Sequence, residues 1–275
     1  MTKTLLLTGA TGFVGRHVLQ ALHTQGHQLR IVARAPHSRS FDWPSENEII
    51  FSPDAFAESP DWWTNTAENI DAVLHMAWYA EPGQYLQSPL NLDCLMGTLA
   101  MAKGCVEAGV KRFVGVGTCF EYDTSHGYLS TRTPLQPASP YAASKAAAYL
   151  FLREYFRQCG VSFAWCRLFY LFGEGEDSRR LVPYVRQQLE RGEPVELTSG
   201  SQVRDYLDVR DAAYELVKHL LGSREGPINI CSAEGKTVRE LVEEVADEYG
   251  RRDLLRFGVR PDNFIDPTVV VGVKD

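Results

Sequence analysis

The sequence predicts an α/β protein, a doubly wound parallel sheet with a small lobe interwoven through its C-terminal half. Three observations carry this expectation. Short apolar runs alternate with helix-patterned stretches as far as Phe169. The first of those runs ends in a glycine turn that opens a helix. Beyond Phe169 strand and helix patterns continue with no linker, repeat or low-complexity segment to mark off an independent second domain.

Leu5-Leu6-Leu7 predicts a first strand over 4–8, and the stretch carrying Val14, Val18, Leu19 and Leu22 predicts a helix over 12–23. Apolar runs at 28–33, 48–51, 72–75, 112–117 and 162–169 read as further strands, and the stretches 92–108 and 140–158 as long helices. Ser139-Pro140 marks a helix start, a capping hydroxyl followed by proline at the first helical position. Later helices are expected over 181–191, 209–221 and 237–249, and short strands over 195–197 and 228–231, the last returning to the main sheet. Residues 271–275 read as the approach to a further helix. The expected division is a sheet domain of 1–170 and 207–231 and a lobe of 171–206 and 232–275.

A chain of 275 residues can bury one large core, or one core and a small lobe. Its formal charge of -7 argues against a general nucleic-acid binder, which needs a basic stripe. No apolar run approaches the roughly 18 residues that suggest a bilayer span. The chain enters its first strand without the pattern of a secretory leader, so a cytoplasmic protein with no membrane partner is expected. The six cysteines form no CxxC pair and have no clustered histidines, so neither a metal site nor a disulfide framework is indicated.

Two motifs carry chemistry. In Thr8-Gly9-Ala10-Thr11-Gly12-Phe13-Val14-Gly15 the first glycine can turn the chain sharply, the second can let backbone approach a diphosphate, and the third can let the helix pack close to the strand. The N–H groups at the helix start, around Thr11, Phe13 and Val14, then face that diphosphate. Far downstream, Tyr141 and Lys145 lie four apart on one helix face, where an ammonium can stabilise a phenolate. Alone, the first motif also fits an ordinary strand-to-helix turn, and the second a solvated helix face.

Taken together, they resemble the extended branch of the short-chain dehydrogenase/reductase superfamily, the NAD(P)-dependent nucleotide-sugar epimerases, dehydratases and reductases, over nearly the whole chain. The resemblance implies a Rossmann sheet domain that binds the dinucleotide and a lobe that binds the substrate. It implies Thr118, Tyr141 and Lys145 as the catalytic set: Thr118 on the reacting oxygen, Tyr141 as acid or base, and Lys145 on the ribose and lowering the tyrosine pKa. Along the cofactor it implies Asp54 against the adenine and the segment His75-Met76-Ala77 beside the dinucleotide. At the end of the second strand Arg34 stands where an NAD-selective relative has an acid; with Arg39 and Ser38 it can pair with a 2'-phosphate, so NADP(H) is preferred and NAD(H) remains possible.

On the substrate side the resemblance implies a nucleotide-diphosphate sugar. Arg204 matches the arginine of QxRD, Arg179 and Arg180 can close over the phosphates, Tyr170 replaces the usual asparagine of RxxN, and Trp78, Tyr79 and Tyr85 lie where relatives touch substrate. Cys94 stands where relatives place an asparagine that supports a proton-relay water, with Asn91 close by. Cys119 and Phe120 replace the adjacent acids of the dehydratases, and Phe120 replaces the cysteine of the 3,5-epimerising relatives. The expected reaction is NADPH-dependent reduction of a 4-keto-6-deoxy nucleotide-sugar; the alternatives are a 4-epimerase with tightly held NAD and a non-catalytic NADP(H)-binding regulator. A homodimer through the helices 92–108 and 140–158 is also implied.

Overall fold

The computed structural model describes residues 2–35, 41, 43, 45, 47–263 and 266–274. Seven parallel strands form the main sheet: β1 (Thr4–Thr8), β2 (Gln28–Arg34), β3 (Glu48–Ser52), β4 (Ala72–His75), β5 (Arg112–Thr118), β6 (Ser162–Leu168) and β7 (Gly226–Ile230). They lie in the order β7-β6-β5-β4-β1-β2-β3. The direction of winding reverses between β1 and β4, so a crevice opens beyond their carboxyl ends, where doubly wound sheets bind ligands.

The strands are apolar on both faces because helices cover both. Leu5 and Leu7 point to one side, into a core completed by Val18 and Leu22 of α1 (Phe13–His23) and Leu216 and Leu220 of α6 (Val209–Leu221). Leu6 points to the other, with Trp63 of α2 (Pro60–Thr66), Met101 of α3 (Leu90–Glu107) and Leu152 and Phe156 of α4 (Pro140–Cys159). A further apolar cluster joins α5 (Leu181–Arg191) to α7 (Val238–Tyr249) through Val185, Leu189, Val242 and Val245.

The expected helix start at Ser139-Pro140 is present: Ser139 Oγ accepts the Ala142 N–H at 3.2 Å. Short strands at Tyr128–Leu129, Tyr170–Phe172, Val203–Arg204 and Tyr206–Asp208 add to the expected elements, and two larger features differ from expectation. The helix α2 was not anticipated; Ser59 caps it by accepting the Trp62 N–H at 3.2 Å, and Pro60 opens it. The C-terminal stretch does not approach a helix. Val269–Gly272 is a strand that runs parallel to Val203–Arg204 on one side and to Tyr128–Leu129 on the other. Three successive β-branched residues favour that outcome. Among the described residues no helix is long and apolar enough to cross a membrane, and no group of His, Cys, Asp and Glu could hold a metal ion.

Candidate active site

A cavity of about 1190 Å³ lies over the carboxyl ends of β1, β2, β4, β5 and β6. Its floor is the glycine turn. Gly9 has φ +75°, and a side chain there would run into the backbone of Ala77 after β4. Gly15 sits against Gly9 and Ala10 too closely for any Cβ, so α1 packs directly on the turn. Gly12 starts α1 with no side-chain cap and no acid in the first turn. The first-turn N–H groups, from Phe13 to Gly15, therefore have neither an intrahelical carbonyl nor a capping oxygen from Gly12, and Thr11 to Gly15 all line the cavity. This cradle fits a dinucleotide diphosphate.

At the far end of the cavity Val32, Ala33, Arg34, Trp43, Pro53 and Asp54 form the wall. Asp54 shapes its own turn, its Oδ1 accepting the Phe56 N–H at 3.0 Å. Arg39 and Ser38 lie outside the described residues. His75 is brought near but does not face the cavity: its ring is clamped between Thr8 Oγ1 at 2.8 Å and Thr98 Oγ1 at 2.9 Å. Burial, aided by the charge of Lys145, pushes it down to about 3, so the ring is neutral. Thr8 Oγ1 also accepts the Ala77 N–H at 3.2 Å. The side chain of His75 thus ties β1, β4 and α3 together, while Ala77 lines the cavity.

Thr118, Tyr141 and Lys145 meet on one wall. Thr118 ends β5 and caps the short turn Cys119–Glu121: its Oγ1 accepts the Phe120 N–H at 3.3 Å and its own N–H donates to Glu121 Oε1 at 2.9 Å. Its side chain and that of Tyr141 both line the cavity. Lys145 is buried; Nζ donates to the Val116 carbonyl at 2.6 Å and stands 3.8 Å from the Trp78 ring centroid. The net shift of the Tyr141 phenol in this structure is upward, not the lowering expected from Lys145. Burial pushes the phenol up, the Tyr85 and Glu121 side chains add to this, and only the Thr118 hydroxyl opposes it. Burial also brings Lys145 down to about 7, so its ammonium is itself close to titration at neutral pH.

The remaining predicted positions sort clearly. Cys119 is buried and its thiol pushed up to about 12. Cys94 is buried too, and its Sγ accepts the Tyr79 N–H at 3.4 Å. Asn91 is committed elsewhere, to Trp78, Tyr85 and Ser88. Tyr79 and Tyr170 line the cavity, Tyr170 edge-on to Phe120 and Tyr206 with the Arg204 guanidinium 5.3 Å from its ring. Arg204 lines it as well, buried, with Nη2 donating to Asp266 at 3.1 Å. Arg179 does not line it. Asp177 and Glu81 hold its guanidinium on the outer rim, both at 2.7 Å, and Arg180 is the neighbour that faces inward, 5.6 Å from the Tyr85 ring.

Two groups escaped the sequence reading. Glu121 is fully buried, paired to Arg167 at 2.7 Å and accepting Trp165 Nε1 at 2.9 Å. Its place in Gly117-Thr118-Cys119-Phe120-Glu121 was the available signal, since an acid one turn past a capping threonine completes a capping box. Glu176 lines the cavity with a buried, unpartnered Oε2 and is pushed up to about 7 by burial.

Residues 5–231 match the model of the NAD dependent epimerase/dehydratase family. The chain belongs to that family. Among curated relatives, the dTDP-6-deoxy-L-talose 4-dehydrogenase (NAD(+)) of Aggregatibacter actinomycetemcomitans is 26% identical over 283 residues, covering 98% of this chain and 99% of that protein. The GDP-6-deoxy-D-mannose reductase of Pseudomonas aeruginosa is 27% identical, over 90% of this chain and 80% of that protein. The UDP-N-acetylglucosamine 4-epimerase of Methanobrevibacter ruminantium shares the epimerase/dehydratase fold with a TM-score of 0.88 at 20% identity, over 99% of this chain and 90% of that one.

Proposed function

We propose that this chain reduces the 4-keto group of a nucleotide-diphosphate sugar, a 6-deoxyhexose, to the alcohol with NADPH. The observation that carries the reading is that Thr118, Tyr141 and Lys145 share one cavity wall, with Cys119 and Phe120 at the two positions where elimination of water would require acids. Two relatives named for oxidation or reduction of 6-deoxy nucleotide-sugars support it.

The cofactor diphosphate is assigned to the cradle of Gly9, Thr11, Gly12, Phe13, Val14 and Gly15, with Arg34 at the 2'-phosphate end and Asp54 and Ala77 along its length. Bound there, the nicotinamide supplies the hydride. The chain does the rest. Thr118 holds the carbonyl oxygen through its hydroxyl. Tyr141, kept protonated by burial, gives its phenolic proton to that oxygen as negative charge develops on it. The Lys145 ammonium then stabilises the phenolate. Arg204 and Arg180 are assigned to the substrate phosphates, Arg204 exchanging Asp266 for a phosphate oxygen, and Tyr79 and Tyr170 to the walls around the sugar. Arg179 acts one step out, holding the rim. The exposed Leu92 and Met96 of α3 and Leu150 and Phe151 of α4 are assigned to a second copy of the chain in a homodimer.

Fluorescence titration with NADPH and NADH, followed by addition of a dTDP-linked 4-keto-6-deoxyhexose while reduced-cofactor absorbance is recorded, tests this. Stoichiometric loss of NADPH is expected. NAD(H) that copurifies with no net consumption of reduced cofactor would overturn the reading in favour of a 4-epimerase.

A further inference from the structure

Trp78 and Tyr85 stand on the irregular stretch between β4 and α3, and each ring touches one member of the proton-transfer pair. The Lys145 ammonium lies 3.8 Å from the Trp78 ring centroid. The Tyr85 ring meets the Tyr141 ring edge to face at 4.8 Å. One buried side chain holds both. Asn91, 1% exposed, accepts Trp78 Nε1–H at 2.8 Å through Oδ1 and donates through Nδ2 to the Tyr85 carbonyl at 2.6 Å and the Ser88 carbonyl at 2.9 Å. Three of the four hydrogen bonds this amide can make are thus spent on the loop. Phe56 packs edge to face with the indole, ring centroids 6.3 Å apart.

We propose that Asn91, Trp78 and Tyr85 form an aromatic clamp that positions Lys145 and Tyr141, with the indole face of Trp78 holding the lysine ammonium. The inference rests on the reading above that these two residues carry the proton. An ammonium in a desolvated site is held strongly by a tryptophan face. Apart from the Val116 carbonyl, which takes one of its donors, the ionisable groups that face Lys145 are Glu121 from the turn after β5, Cys94 from α3 and His75 from β4, with Tyr141 one turn earlier on α4. His75 is neutral and the Cys94 thiol is pushed up by burial, which leaves Glu121, the Trp78 indole and, farther off at 5.8 Å, the Trp165 ring as the side chains that favour the charged lysine. Without Asn91 the two rings lose their common anchor.

The test is to follow the Cε chemical shift of Lys145 against pH in lysine-labelled protein, with and without NADPH, in the wild type and in Trp78→Phe, Trp78→Leu and Asn91→Leu. Trp78→Leu should lower the Lys145 midpoint by about one pH unit, with Trp78→Phe lowering it less. Asn91→Leu should move it in the same direction, and NADPH affinity should stay within about twofold of wild type because the glycine cradle is untouched. With dTDP-4-keto-6-deoxyhexose, the pH profile of kcat should shift by the same amount. A Lys145 midpoint unmoved in Trp78→Leu overturns the clamp even if turnover falls, since Trp78 would then only shape the substrate wall. Should Trp78→Leu fail to fold, Trp78→Phe and Asn91→Leu decide the question by the same midpoint. A wild type inactive on the keto sugar would overturn the reductase reading alone, because the Lys145 titration needs no substrate.

Discussion

Glu121 accepts the backbone N–H of Thr118 at 2.9 Å with one carboxylate oxygen and binds Arg167 at 2.7 Å with the other. The position of the threonine hydroxyl is therefore set by a buried ion pair. Arg167 is itself placed with its guanidinium 4.5 Å from both the Tyr122 and the Tyr149 rings, and its Nη1 donates to Tyr122 Oη at 2.9 Å. Tyr122 passes the chain of contacts on to Asn229, which donates to the carbonyls of Leu129 and Val273. The wall that carries Thr118 is in this way fastened to β7 and to the C-terminal segment.

Breaking that pair from one side should be costly. Glu121→Gln leaves a guanidinium buried with no counter-charge, a change expected to destabilise by about 3–5 kcal/mol. Chemical denaturation should show the loss as a lower midpoint with an unchanged slope. The double variant Glu121→Gln/Arg167→Met should recover most of it, because no unpaired charge remains. A single variant as stable as the wild type would mean that water reaches the pair.

Tyr141→Phe removes the proton donor and leaves the cradle intact. Turnover of the keto sugar should fall by roughly 10²–10⁴-fold, the usual contribution of a positioned acid or base. NADPH binding, followed by fluorescence, should be unchanged. For the wild type, reduction should decline as pH rises through about 7, because Lys145 loses there the charge that stabilises the phenolate. A profile flat between about pH 6 and 9 would remove Lys145 from that role.

Arg34 tests the cofactor assignment independently of the chemistry. It ends β2 on the cavity wall beside Trp43 and Asp54. Arg34→Asp should weaken NADPH by about tenfold or more, through loss of a guanidinium–phosphate contact and gain of repulsion, and should leave NADH equal or tighter. Equal losses for both cofactors would point to damage of the fold at β2 rather than to a 2'-phosphate contact.

The sheet was legible in the sequence because its strands are short apolar runs separated by helix patterns, and Gly9 and Gly15 occupy positions where backbone contact excludes any side chain. That Tyr141 and Lys145 share a helix face followed from their spacing, whereas Thr118 joined them only through the family resemblance. What spacing could not supply is the local electrostatics. Tyr141 and Lys145 are four apart as expected, yet Lys145 is taken up by the Val116 carbonyl and the Trp78 ring, a strand and a loop away in sequence. Arg179 and Arg180 are indistinguishable in a list of residues. Asp177 decides between them by holding Arg179 at the rim. The final strand was missed for a related reason: Val269–Gly272 is held by pairing with segments more than sixty residues away, and those partners are not visible in a five-residue window.

The buried histidine gives a prediction for stability against pH. His75 is neutral in the folded protein down to about 3, whereas an ordinary histidine takes up its proton near 6.5. Between those two values the unfolded chain binds the extra proton, so stability is fully present above 6.5 and is lost as pH falls toward 3. The full effect is on the order of 5 kcal/mol, of which the part between about pH 6.5 and 5 can be read before the carboxylates begin to titrate. His75→Asn should be less stable than the wild type at pH 7.5 by about 1–3 kcal/mol, through disturbed hydrogen bonds to Thr8 and Thr98. It should nevertheless lose less stability on going to pH 5, so that the two urea-denaturation midpoints converge. Parallel loss of stability in both proteins would show that His75 is protonated in the folded state.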